Sequence, residues 1–334
     1  MVTYRQAGRG MVRTLRAIDR EAKRAQRQRV AYERAAQRQA LLEASADAAQ
    51  QYEALIAALI GAHRIAFRRR DWLTLATEPV PPIPQPSTEK EDAARLVETA
   101  YRPGWFARTF GLEAGQRSKL AAAVLAGRAA DEVDLENRIQ AADARRSEIE
   151  FAQSVVAQDH AATAEALDRY SELGGLPFSL EEVDVVFTED KRLIAMVDGL
   201  DLEDMPEQSV TLLQSGKASI KALARTRILE LHRDTICAGS MRVALECLQT
   251  LPLDAVEVVM HTDILDPATG HIQSEPVLYL RVAAQALETL NLVRSEASPL
   301  VERLGGHFDW NKRDGFRAIN LAAFNVPTDT VIEA

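Results

Sequence analysis

Nine of the ten arginines in the first forty residues, Arg5, Arg9, Arg13, Arg16, Arg20, Arg24, Arg27, Arg34 and Arg38, follow one another at steps of three, four or seven. Those steps are helical, so the guanidinium groups are expected along one face of a single helix. Guanidinium binds phosphate bidentately, and a row of them offers contact along a polyanion backbone. Arg5, Arg9, Arg13, Arg16, Arg20, Arg24 and Arg27 are therefore the candidate nucleic-acid-binding residues. The segment holds eleven Lys or Arg against three acids, a net charge of +8. The whole chain is −9, so residues 41–334 carry −17. A stripe of roughly 50 Å is longer than a DNA groove is wide, so it would track backbone rather than read bases. It lacks the aromatics that stack single strands. Two other occupants of the stripe stay open. One is solvent or internal pairing with Glu148, Glu150, Asp159, Glu165, Asp168 and Glu172 across a helical hairpin; the other is an acidic protein partner.

Other candidate chemistry is thinner. Glu189-Asp190-Lys191, with Asp184 upstream, matches the acid-x-lysine half of a metal-dependent nuclease motif, in which carboxylates hold Mg²⁺ and a lysine assists water. Here the tripeptide falls in a turn between two expected strands, where a charged hairpin turn is the simpler reading. His261, Asp263, Asp266 and His271 surround a second hairpin. A metal would need three or four convergent ligands, and Asp266 is accounted for as the first residue of an Asp-Pro turn. Gly216-Lys217-Ala218-Ser219 lacks the first glycine of a P-loop. No catalytic residue, cofactor site or metal site is assigned from the sequence.

The elements that must carry these residues read as follows. Residues 10–76 form one long, proline-free helix, whose apolar stripe strengthens at Leu41, Tyr52, Leu55, Ile56, Leu59 and Ile60. Five prolines in the nine residues Glu78–Pro86 make a stiff extended connector. A short helix runs from about Ser87 to Ala100, and Trp105, Phe106 and Phe110 are expected as an apolar cap at a turn. A second long helix spans about Glu113 to Leu173 and ends at Gly174-Gly175. Two helices of similar length across such a connector predict an antiparallel coiled-coil hairpin of roughly 90 Å. Beyond Pro177 the pattern alternates. Strands are expected at 183–187, 193–197, 210–213, 255–265 and 276–282, with helices at 219–250, 284–290 and 299–304. The expected fold class is α+β: a long helical arm followed by a compact mixed head. Its parts are 1–76 (basic first arm helix), 77–112 (connector), 113–175 (second arm helix) and 176–334 (head).

Composition narrows the class. No run of about eighteen apolar residues occurs, so no transmembrane helix is expected, and the charged start MVTYRQAGRG is not a secretory signal. Cys237 and Cys247 lie ten apart on one expected helix, roughly 15 Å, too far for a bridge. They read as buried thiols of a cytoplasmic protein. A long helix with an apolar stripe needs a partner, so a homo-oligomer is expected.

The segments Val256–Met260, Asp263-Ile264-Leu265-Asp266-Pro267-Ala268-Thr269-Gly270, Leu278–Val282 and Leu290-Asn291-Leu292-Val293-Arg294, with Asp71-Trp72-Leu73-Thr74-Leu75 far upstream, resemble a region of bacterial Mrr-like restriction endonuclease proteins. The order of parts agrees over most of the chain, while the tight matches cover about forty residues. In that family the nuclease domain lies beyond this region, so no nuclease residue carries over. The family's cysteine near the second strand has no equivalent, since Pro276-Val277-Leu278 stands there. The resemblance implies a non-catalytic regulatory, sensor or adaptor component of a restriction or anti-phage defence system. Its basic arm would contact nucleic acid, and its head would dock a separate effector, a nuclease or ATPase. The alternatives are a scaffold that self-assembles through the coiled coil, and a divergent nuclease using Asp184, Glu189 and Lys191.

Overall fold

The computed structural model describes residues 36–110, 112–173, 182–188, 191–265 and 269–326. The fold is α+β and divides into two compact units. Among the described residues, one unit takes those up to Phe67, those of Glu172–Leu245 and those from Ala255 on; the other takes Arg68–Ser171 and Glu246–Asp254.

Helix α1 is described over residues 36–61. It buries Ser45, Ala49 and Leu59, separations of four and ten residues that return to one face of an amphipathic helix. The uninterrupted helix expected to residue 76 ends here instead. The reason is tertiary: His63 is buried and its Nε2 pairs with the Ser295 carbonyl at 3.1 Å. Arg242 donates to the Ala62 carbonyl and to Glu172. The Ala62 carbonyl, which a continuing helix would hold internally, is thus satisfied by a side chain.

The second unit starts a new helix. Asp71 caps α2 (Trp72–Ala76) by accepting from the Thr74 amide at 2.9 Å, a standard N-cap. Residues 78–88 are non-helical, as the prolines require. Then come α3 (Glu89–Ala100), α4 (Trp105–Thr109), α5 (Glu113–Val156) and α6 (His160–Tyr170). The second long helix is thus broken. Gln158 takes φ 61°, and Asp159 caps α6 by accepting from the Ala162 amide at 3.0 Å. A left-handed residue followed by a capping aspartate ends one helix and starts the next. Helical periodicity runs through this point because the two segments keep the same kinds of residue. Helix α5 packs against α2, α3 and α6. At Gly127 a Cβ would lie 2.7 Å from the Lys90 carbonyl, so only glycine permits the approach of α3. From α5, the buried Asp131 accepts from the amides of Lys90 and Glu91 at 3.1 and 2.9 Å. It caps α3 from a different helix. Of the residues expected as an apolar cap, Trp105 and Phe110 are 69% and 67% exposed.

In the first unit, strands β1 (Glu182–Phe187) and β2 (Leu193–Asp198) form a hairpin, and β3 (Gln208–Leu212) pairs with β4 (Ala218–Ala222) as a separate ribbon. The helix expected from Ser219 therefore begins later. The turn before β4 uses Gly216 at φ 76°, with the Leu213 amide on the Lys217 carbonyl at 2.9 Å. A closed hairpin turn outcompetes helix initiation there. Helix α7 (Arg225–Thr250) follows; its residues from Glu246 on belong to the second unit. Strands β5 (Ala255–Leu265) and β6 (Ile272–Ala283), helices α8 (Ala284–Glu288) and α9 (Ala297–Arg303), and strands β7 (His307–Asn311) and β8 (Gly315–Arg317) complete it. The six-stranded sheet has the order β1-β2-β5-β6-β7-β8, with β2 and β5 parallel and the other pairs antiparallel. A parallel pair requires a crossover, and α7 supplies it.

Alternation decides what covers each face. Ile194, Val259 and Tyr279 point toward Ile319, Leu321 and Val326, and Tyr279 stacks on Phe324 at 4.2 Å. At the end of β2 a Cβ on Gly199 would meet Ile236 of α7 at 2.6 Å. Helix α7 buries Ile236, Cys237, Met241 and Leu245 completely, each large apolar side chain contributing about 1.5–3 kcal/mol. Both cysteines are buried and unbridged, as expected. Among the described residues no helix is long and apolar enough to cross a membrane.

Candidate anion-binding pocket

The arginine stripe falls almost entirely outside the described residues: Arg5, Arg9, Arg13, Arg16, Arg20, Arg24, Arg27 and Arg34 precede residue 36. Arg38 sits exposed at the start of the described part of α1. Of the nuclease-like set, Asp184 is half-buried in β1 and Lys191 is exposed in the following turn at φ 59°; Glu189 lies outside the described residues. Phe187 ends β1 three residues after Asp184, roughly 10 Å along the strand, so the hairpin does not bring Asp184 to the turn that carries Lys191.

His261 and Asp263 share β5, and Asp263 faces Ser274 across the hairpin, while His271 lies beyond the last pair, Leu265 with Ile272. Asp266 is outside the described residues. Among the described residues no group of three or more His, Cys, Asp or Glu is placed to hold a metal. The structure instead gathers carboxylates that the sequence did not associate. Asp201, after β2, accepts from the Thr262 hydroxyl at 2.8 Å and the Asp263 amide at 2.7 Å. Burial, followed by the charges of Asp201, Asp198 and Glu203, pushes the Asp263 carboxyl above its ordinary range. Asp201 thus fastens the loop after β2 to β5. Nearby, burial holds the His232 imidazole below its usual range, with Nε2 2.8 Å from the Leu200 carbonyl.

The second unit holds a pocket built by α2, α5 and α6. The start of α2 fixes Trp72, which is buried and donates through Nε1 to the Thr250 carbonyl. Its ring meets Phe151 of α5 edge-on at 5.7 Å and Tyr170 of α6 at 5.5 Å. The Arg70 amide donates to the Gln249 carbonyl at 2.8 Å. That anchor sets its guanidinium carbon 3.6 Å from the Tyr170 ring centre and 4.8 Å from that of Trp72. Arg169 lies 5.2 Å from the Phe151 ring centre and pairs with Glu165. Arg145 is held by Glu78 at 2.5 Å and Glu148 at 2.7 Å; these bonds, Glu148 first, raise its already high pKa. The cavity measures about 520 Å³. Three aromatic rings and three guanidinium groups thus converge on a space of small-molecule size.

Chemically, stacked guanidinium keeps its charge and its fork of N–H donors while one face is occupied by a ring. Such an arrangement receives oxyanions in plane and flat groups on its free face. Sequence reasoning missed it. Trp72 stands out only within Asp71–Leu75, and the local sequence around Phe151 and Tyr170 singles out neither. Phe151 and Tyr170 lie about eighty and a hundred residues from Trp72, and no short-range pattern joins them to it.

No family model, characterised protein or solved structure matches this chain.

Proposed function

We propose that this chain is a non-catalytic adaptor or regulatory component of a bacterial restriction or anti-phage defence system. It acts in the cytoplasm, contacts nucleic acid through its N-terminal arginines and presents an α+β body to a separate effector, a nuclease or ATPase. The observation that carries this reading is the charge asymmetry: a net +8 in the first forty residues against −17 in the remainder. Charge so segregated gives the basic segment the electrostatics of a phosphate-contacting surface, while the acidic body is repelled from the same polyanion and left for protein contacts. The resemblance of Asp263–Gly270 and its flanking strands to Mrr-like proteins supplies the defence context. In the same reading the long helices are lengths of a coiled-coil arm through which copies associate.

The test is binding of purified protein to labelled double-stranded DNA across a salt series. The expected result is affinity that falls steeply with salt and that charge reversal at Arg13, Arg16 and Arg20 weakens. Absence of binding at low salt would refute the nucleic-acid part.

A second reading, a scaffold that self-assembles, is favoured by α5. That helix leaves Leu125, Val133 and Ile139 exposed, at separations of eight and six residues that total four helical turns. Its sign would be a large assembly that resists salt and is indifferent to those three charge reversals.

A further inference from the structure

We propose that the pocket formed by Arg70, Trp72, Phe151 and Tyr170 binds a single nucleotide unit, an aromatic base together with its phosphate. The proposal does not rest on the N-terminal stripe, which lies in a different part of the chain.

Size sets the first constraint. A cavity of about 520 Å³ lies within the range of roughly 300–1,000 Å³ typical of small-molecule sites. It admits one base with its sugar and phosphate, and not a helix or a duplex.

Chemistry sets the second. Of the three lining guanidinium groups, Arg145 is held by Glu78 and Glu148, and Arg169 by Glu165. The Arg70 guanidinium, among the described residues, packs on the rings of Tyr170 and Trp72. Tyr170 orients the plane, with Trp72 beside it. Arg70 is exposed, which leaves its N–H edge for an oxyanion, and the ring-lined pocket takes a flat π-system. Nucleic-acid bases stack on aromatic rings and on arginine planes alike, and phosphate accepts the arginine fork in plane. A simple aliphatic carboxylate would use only the edge and leave the rings idle. Glu148 and Ser147 also line the cavity and provide acceptors for the ring N–H groups of a base.

The third constraint is rigidity. Trp72 is tied to the Thr250 carbonyl and Arg70 to the Gln249 carbonyl, both in the same segment at the end of α7. The stack is therefore preorganised, which lowers the ordering cost of binding.

The nucleotide unit could come from a free mononucleotide or from an unstacked position in a single strand, and the test separates these. The full-length chain would be titrated calorimetrically with nucleoside 5′-monophosphates covering the common bases, with inorganic phosphate, and with single-stranded DNA of about eight nucleotides. The strand titration would be done in a background carrying Arg13→Glu, Arg16→Glu and Arg20→Glu, so that the basic stripe does not contribute. The expected result is saturable binding of at least one monophosphate, at least about tenfold weaker in Arg70→Ala, with an unchanged melting curve because Arg70 is exposed. Tyr170→Leu should weaken it similarly by removing the platform. Tighter binding of the strand, lost with Arg70→Ala, would identify single strands as the source; equal or weaker binding would identify free nucleotide. The proposal is overturned if neither probe binds saturably, if both substitutions leave binding intact, or if phosphate alone binds as well as every monophosphate. Failure of the charge-reversed triple variant to lose duplex binding would count against the proposed function and leave this pocket untouched.

Discussion

Helices α7 and α3 show two ways of holding a helix in place. Helix α7 in the sheet unit is buried nearly all round, with Ile236, Met241 and Leu245 removed from solvent. Helix α3 in the helical unit buries no residue at all and leaves Leu96 and Val97 exposed. What positions α3 is a small set of polar and steric fits: Asp131 on the amides of Lys90 and Glu91, and Gly127 against the Lys90 carbonyl. The first helix is stabilised by area removed from water, a sum of many weak terms. The second depends on a few directional contacts, each of which a single substitution can remove.

The comparison can be broken at graded cost. Leu245→Ala should have the largest effect, about 2–5 kcal/mol, read as a lower denaturant midpoint. A loss well under 1 kcal/mol would mean that α7 is not the keystone of the sheet unit. Gly199→Ala places a methyl 2.6 Å from the Ile236 terminal carbon and 3.2 Å from the His261 carbonyl. Overpacking of about 1–3 kcal/mol follows. In the helical unit, Asp131→Ala strands two amides and should cost about 1–2 kcal/mol. Hydrogen exchange should show the loss concentrated at the start of α3, with Asp131→Asn recovering part of it. Asp159→Ala should cost about 1 kcal/mol, read as faster exchange in the first turn of α6.

Proton linkage sharpens the contrast further. Burial holds His63, His232 and His261 below the usual imidazole range, and all three lie in the sheet unit. Asp201 and Asp204 oppose that shift at His232, as Asp198 and Glu275 do at His261, while Arg64 adds to it at His63. A histidine with a depressed folded pKa leaves the unfolded chain binding more protons. The stabilisation is complete above about pH 6.5 and declines as pH falls through that value toward the lowered ones. Thermal melts between pH 7.5 and pH 5 should therefore lose midpoint on acidification, and replacing His232 by Gln should flatten the slope. A pH-independent midpoint would remove the linkage.

The legibility of the two units differs for the same reason. Val256–Met260 and Leu278–Val282 announce strands because their apolar density and the Asp-Pro pair in the sequence between them are local signals. The Glu78–Pro86 connector is equally plain. The helix stops at residue 61 and at Gln158 were not, since both lie within helix-compatible sequence. At the first, the competing partners are remote carbonyls and side chains; at the second, an aspartate cap prevails that periodicity alone does not weigh. Strand β4 was hidden because Ser219–Ala222 suits a helix start until Gly216 closes the hairpin.

Composition and spacing by themselves determined the segregation of charge, the α+β class, the proline break and most strands, because these depend on residues within a few positions of one another. Tertiary structure alone decided that β2 lies parallel to β5, that Asp131 caps a helix other than its own, and that Arg70 stacks on Tyr170 beside Trp72. Each joins residues forty to a hundred positions apart, and a contact of that kind exists only when the packing of the intervening elements brings the two groups to hydrogen-bonding or van der Waals distance.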